Sequence, residues 1–151
     1  MTKEDFMREA ISLSCESVRQ GGGPFGAVIV KDGKIVARGS NSVTLLNDPT
    51  AHAEMTAIRA ACSAMKVFRL EGCELYTSCE PCPMCLSAIY LTGIREVYFA
   101  NSNRDGEPFR PSTAAIYHQL SQPLETQSLP IHHSPQPEGL ALYQLWADKQ
   151  K

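Results

Sequence analysis

The chain has no run of apolar residues approaching the roughly 18 that a membrane span needs, so no transmembrane helix is expected. It has no basic excess either: 14 Lys and Arg stand against 16 Asp and Glu, for a net charge of -2. A domain that grips nucleic acid usually gathers Lys and Arg on one face, so this balance argues against a polynucleotide partner. The opening residues, Met1 to Ala10, mix acids and bases without the apolar core of a secretory leader, and a cytoplasmic setting is expected. Repeats, linkers and low-complexity tracts are lacking, and 151 residues are the length of one ordinary domain. A single domain over residues 1–151 is therefore expected. Tryptophan occurs once, as Trp146, and reads as a core residue.

The patterning that is present is α/β. Thr2 precedes Asp5 by three positions, a capping signal, and Phe6, Met7, Ala10, Ile11, Ser14 and Val18 follow at helical spacing. Gly21-Gly22-Gly23-Pro24 ends that helix. Phe25 to Val30 then reads as a buried strand, and Asp32-Gly33 as a tight turn into a partner strand, Lys34 to Arg38. Gly39 to Thr50 reads as a loop leading to a helix near Ala51 with Met55, Ile58, Cys62 and Met65 on its buried stripe. Glu74 to Ser78 and Arg95 to Ala100 read as strands flanking a helix that begins near Pro81 and ends at Gly93. Short helices are expected over Ser112 to Leu120 and Gly139 to Lys149. This order predicts a sheet between helical layers, with later strands parallel through right-handed crossovers. It also lets the helix starts near Ala51 and Pro81 converge at one sheet edge.

Six cysteines do not form a disulfide framework in a chain expected to sit in a reducing compartment. Cys15, Cys62 and Cys73 are scattered and read as small core residues. Cys79, Cys82 and Cys85 cluster, and clustered cysteines in such a chain point to metal. Two cysteines separated by two residues on a first helical turn aim their sulfurs at a common point, and the imidazole of His52 can complete three of the four tetrahedral positions of zinc. The fourth position is left for water, because no further ligand occupies a matching motif; Cys79 is the one alternative fourth ligand. Zinc lowers the pKa of bound water from about 15.7 toward 7, and Glu54, two residues after His52, can move protons without ligating the metal. Positive helix N-termini favour the thiolates. His132 and His133 are adjacent and would point to opposite faces of a strand, so they are not read as a metal pair; His118 reads as a surface residue.

His52-Ala53-Glu54 with Pro81-Cys82-Pro83-Met84-Cys85 resembles the signature of zinc-dependent nucleobase deaminases. The longer strings Asn47 to Glu54, Thr77 to Cys85 and Gly22 to Val30 are similar to the cytidine-deaminase-like superfamily, and most of all to its bacterial guanine deaminase branch. That resemblance covers about residues 20 to 100. It implies a three-layer α/β/α fold with a mixed five-stranded sheet, one zinc per chain, and hydrolysis of guanine to xanthine and ammonia. It also implies a homodimer, with exchange of C-terminal segments as one form. By position it makes Glu54 catalytic, makes His52, Cys82 and Cys85 the zinc ligands, and makes Asn41, Phe25 and Ala53 the substrate-binding residues. An amide suits a purine edge and an aromatic face suits a planar base, although Phe25 also reads as core and Asn41 as a loop residue bonding its own backbone. The chain departs from the branch in the stretch Phe109 to Thr113, where an acid is expected and none is present; Asp105 and Glu107 are the nearest acids. The C-terminal Asp148-Lys149-Gln150-Lys151 also lacks the terminal aromatic of some members. The alternatives are a transfer-RNA adenosine deaminase, which needs a basic surface, a deaminase of cytosine or another aminated ring, and a zinc-stabilised module without turnover.

Overall fold

The structure, a computed structural model, describes residues 1–151. The chain forms two compact units, Met1–Ile116 and Tyr117–Lys151. In chain order the elements are α1 (Lys3–Arg19), β1 (Gly26–Lys31), β2 (Lys34–Ser40), α2 (Val43–Leu46), α3 (Ala53–Met65), β3 (Cys73–Cys79), α4 (Pro83–Thr92), β4 (Glu96–Asn101), α5 (Asn103–Gly106), α6 (Ala114–Leu120) and α7 (Pro137–Lys149), with a 3-10 turn at Leu124–Thr126.

The Thr2 and Asp5 side chains exchange hydrogen bonds with each other's backbone N–H and start α1 as a capping box. The buried face of this helix is Phe6, Ala10, Ser14 and Ser17. Ile11 and Val18, expected on that face, are exposed. Cys15, expected in the core, is exposed for the same reason, being one position off the 3-to-4 spacing that Ser14 and Ser17 keep. Cys62 is half-buried and Cys73 buried. Asp32 and Gly33 both have positive φ, 50° and 75°, as a two-residue hairpin with the right-handed strand twist demands. α2 is a single turn within the stretch read as a loop, closed by Asn47 in the left-handed region.

The sheet order is β2-β1-β3-β4. β1 runs antiparallel to β2 and β3, while β3 and β4 are parallel, so the expected mixed sheet is present. It has four strands rather than five. Nothing after Asn101 adds a strand, and the stretch from Gln127 to Pro137 carries three prolines, at 130, 135 and 137, that cannot donate to a ladder. β1 is buried from Gly26 to Val30, because helices cover both faces. Val28 and Val30 pack with Phe6 and Tyr76 on the α1 side. Ala27 and Ile29 pack with Ala53, Ala57, Ile58, Leu75 and Ile89 on the side of α3 and α4.

Two glycines on neighbouring strands allow the helices this close. A Cβ on Gly26 would lie 2.3 Å from the Ala10 carbonyl oxygen of α1, and one on Gly39 would lie 2.3 Å from the Ala53 carbonyl oxygen of α3. Both obstacles are backbone, so neither can swing aside. Since α3 begins immediately after His52, Gly39 also sets how far that histidine stands from the sheet. Gly39→Ala is expected to destabilise the protein by about 1–3 kcal/mol, the usual cost of overpacking. Thermal denaturation checks this, and an unchanged Tm would mean that α3 does not rest on Gly39.

The connections place the chemistry. β2 and β3 lie on either side of β1 and both run antiparallel to it, so their C-terminal ends share one sheet edge with the N-terminal end of β1. β4, parallel to β3, ends there too. Phe25 before β1, Asn41 and His52 after β2, Cys82 after β3 and Asn103 after β4 are thus delivered to one place. This is the position where ligands bind in open α/β sheets.

Candidate active site

His52 and Cys82 are the N-cap residues of α3 and α4. Both helices start two residues later than their sequence signals suggested, and Pro83 rather than Pro81 takes the first helical position. His52 makes no side-chain bond to cap its own helix. Its imidazole faces the cysteines instead: Nδ1 is 3.5 Å from Cys82 Sγ and 3.6 Å from Cys85 Sγ. The Cys85 N–H in turn donates to Cys82 Sγ at 3.5 Å.

These spacings fit zinc. A nitrogen at about 2.05 Å and a sulfur at about 2.3 Å from one ion, held at the tetrahedral angle, lie about 3.5 Å apart. The three ligand atoms of His52, Cys82 and Cys85 all lie within 4.8 Å of one another, and Cys79 is outside the group. The Cys79 sulfur instead accepts from Arg110 Nη2 at 3.1 Å.

The protons follow the same geometry. The Cys85 thiol, followed by His52, hydrogen-bonds the Cys82 sulfur and holds Cys82 well below the ordinary thiol range. Cys85, the donor and itself buried, is pushed up. The bond to Cys82 raises the His52 imidazole, with burial pulling the other way. A soft dication that needs two thiolates and a neutral imidazole would displace these protons on binding. Glu54 lies in the first turn of α3 with 6% exposure, and burial pushes its carboxyl up to about 7.

A cavity of about 190 Å³ opens onto this cluster, lined by Phe25, Asn41, His52, Glu54, Cys82 and, from the segment after β4, Asn103, Arg110, Pro111 and Thr113. Asn41 bonds its own loop and also borders the cavity. Its Oδ1 accepts from the Val43 N–H at 3.3 Å, and the side chain still borders the cavity. Phe25 likewise packs on the core and lines the cavity. Ala53, the first residue of α3, is fully buried in the core and does not line the cavity.

Asp105, the nearest acid before the stretch Phe109 to Thr113, is engaged in its own helix. Its carboxylate accepts from the Ser102 N–H and caps α5, and it borders the larger adjoining hollow of about 690 Å³ rather than the metal cavity. Glu107 is exposed. Arg110 and Asn103 were missed in the sequence. Arg110 lies 5.3 Å over the Phe25 ring, within cation–π range, and also donates to Asn103 Oδ1 at 3.4 Å. The signal that could have found it is the stretch Phe109 to Thr113, flagged for its missing acid but not for its arginine.

His132, His133 and Trp146 belong to the second unit. Trp146, expected in the core, is 65% exposed on α7, because a unit of 35 residues has too little interior to enclose an indole. No helix is long and apolar enough to cross a membrane.

The zinc-binding region of cytidine and deoxycytidylate deaminases matches residues 1–101. The chain belongs to this deaminase family. It is a zinc-dependent aminohydrolase, and its His52, Cys82 and Cys85 cluster is suited to one zinc ion. Guanine deaminase of Bacillus subtilis (strain 168) is 48% identical over 147 residues, which are 97% of this chain and 94% of that one. The solved structure of guanine deaminase from Bacillus subtilis is similar with a TM-score of 0.93 at 47% identity, covering 98% of this chain and 95% of that chain. The likeness to the tRNA-specific adenosine deaminase of Aquifex aeolicus (strain VF5) is shorter, 47% over 100 residues, or 66% of either chain. The solved guanine deaminase from Nitrosomonas europaea has a TM-score of 0.71 at 29% identity, covering 74% of this chain and 65% of that one.

Proposed function

We propose that the protein deaminates a free nucleobase, and that the base is guanine, giving xanthine and ammonia. The observation that carries this is the 48% identity to a guanine deaminase over 97% of the chain, a span that includes the whole cavity lining. Cavity size supports it: about 190 Å³ is below the roughly 300–1,000 Å³ of common ligand clefts, and suits one planar ring system better than a nucleoside in a polynucleotide. The net charge of -2 argues in the same direction.

In this reading His52, Cys82 and Cys85 hold the zinc, which supplies the Lewis acid that makes a water nucleophilic at neutral pH. Glu54 takes the water's proton and passes it to the ring nitrogen beside the attacked carbon; it then takes the proton of the hydroxyl now on that carbon and gives it to the amine as the carbon–nitrogen bond breaks and the carbonyl forms. A carboxyl raised to about 7 by burial is matched to giving and taking protons near neutrality. Phe25 lies against the ring and Asn41 hydrogen-bonds its edge. Residues 1–151 act as one deaminase domain, as a cytoplasmic homodimer that can exchange C-terminal segments; these last points rest on the resemblance.

The test is a panel of free guanine, adenine, cytosine, their nucleosides and transfer RNA, with zinc-loaded protein and ammonia as the readout. Release from guanine and none from transfer RNA is expected. Release from transfer RNA alone would replace the reading with the adenosine deaminase alternative, which the shorter Aquifex likeness represents.

A further inference from the structure

Ser14 and Ser17 are both buried on α1, but their hydroxyls serve different ends. Ser14 Oγ donates to the Ile11 carbonyl of its own helix at 2.6 Å, the ordinary back-bond of a helical serine. Ser17, 3% exposed, leaves its helix unbonded in this way and reaches two loops. Its Oγ lies 2.7 Å from the Gly23 carbonyl oxygen and 3.3 Å from that of Asn41. A hydroxyl has one hydrogen, so the two carbonyls share it in a three-centre bond whose shorter arm goes to Gly23. One of these loops carries Phe25 to the cavity and the other carries Asn41.

The joint around Ser17 is tight. Its own carbonyl accepts from the Gly22 N–H at 2.7 Å, the Gly23 carbonyl also accepts from the Phe25 N–H at 2.9 Å, and the Phe25 carbonyl accepts from the Asn41 N–H at 3.1 Å. A Cβ on Gly22 would lie 2.6 Å from Ser17 Oγ and 2.9 Å from the Asn41 carbonyl oxygen. One on Gly23 would lie 3.1 Å from the Phe25 ring and 3.4 Å from Asn41 Cγ. The peptide that Ser17 holds therefore rests directly against both side chains.

We propose that Ser17 is a positioning residue for the substrate: its hydroxyl ties the segment before β1 to the segment after β2, and so fixes the separation of the Phe25 ring from the Asn41 amide. It acts through those two residues and touches no reacting atom. The proposal rests on the reading above, in which the base lies against Phe25 and hydrogen-bonds Asn41. Without the hydroxyl, buried carbonyls lose a donor and the loops relax to find another. The metal ligands and Glu54 belong to the starts of α3 and α4, on the other face of the sheet from the α1 core, so the chemistry itself is left in place.

The experiment measures zinc content, Tm, kcat and KM for guanine in the zinc-loaded parent and in Ser17→Ala, Gly22→Ala and Ser14→Ala. Ser17→Ala is expected to keep its zinc and to raise KM about fivefold, the effect of one ordinary hydrogen bond, with kcat within about twofold of the parent. Gly22→Ala forces the same joint apart from the loop side and should raise KM at least as much; it carries the test by itself should Ser17→Ala not fold. Ser14→Ala removes a buried hydroxyl from the same helix without touching either loop, so it should lower Tm and leave KM at the parent value. An active parent whose KM is unchanged in both Ser17→Ala and Gly22→Ala, or a Ser14→Ala variant whose KM rises as much as theirs, would overturn the role of Ser17 and leave the deaminase reading intact. A parent that releases no ammonia from any base would overturn both.

Discussion

Replacing Cys85 by alanine is expected to empty the protein of stoichiometric zinc. The parent should carry about one zinc per chain, since three protein ligands and a water complete one site. Structural zinc contributes an apparent 10–16 kcal/mol of binding in small peptides, and most of that depends on a full ligand set. Cys85 is fully buried in the first turn of α4, with its sulfur 3.6 Å from His52 Nδ1, so no other side chain is placed to replace it. The nearest candidate, the Cys79 sulfur, is taken by Arg110. Cys82→Ala should do the same and cost more structure, because it also deletes the sulfur that caps the Cys85 N–H. Metal analysis of the purified variants checks this, and full zinc occupancy in both would remove the two cysteines from the ligand set.

Glu54→Gln separates binding from chemistry. The substitution keeps size and shape at a buried position of α3 and leaves the three ligands in place. Zinc content and fold should therefore be retained. Turnover should fall at least about a hundredfold, the lower range of what a positioned acid–base group contributes, because an amide cannot accept and return a proton. The loss should appear in kcat, with KM changing little, since Glu54 acts on the water and the ring nitrogen during reaction. A near-native rate in a zinc-replete variant would take Glu54 out of the mechanism.

Much of this architecture was readable beforehand, for identifiable reasons. The Asp32-Gly33 turn, the buried run of β1 and the parallel crossovers through α3 and α4 rest on local chemistry: positive φ, an apolar strand covered on both faces, and helical spacing between strands. The metal cluster was readable because its spacing encodes direction. A histidine and a cysteine pair at two helix starts converge once the strands before them end at the same sheet edge.

What stayed hidden lacked such a signal. The buried stripe of α1 is as expected at Phe6, Ala10 and Ser14 but narrower on one side, where Ile11 and Val18 are exposed and Ser17 is buried instead. The fifth strand came from likeness, and the proline-rich segment after Gln127 does not supply it. Arg110 reaches the cavity from a loop without periodicity, so only three-dimensional placement reveals an arginine over Phe25.

The central claim is hydrolytic removal of an amino group from a free base at this metal cluster. It is tested most directly by running the zinc-loaded protein on guanine in oxygen-18 water and analysing the product by mass spectrometry. The account predicts xanthine carrying one heavy oxygen at the carbon that lost its amine, with one ammonia released per molecule formed, and the same yield abolished in Cys85→Ala. Guanine recovered unchanged, or xanthine formed without heavy oxygen at that carbon, would contradict it.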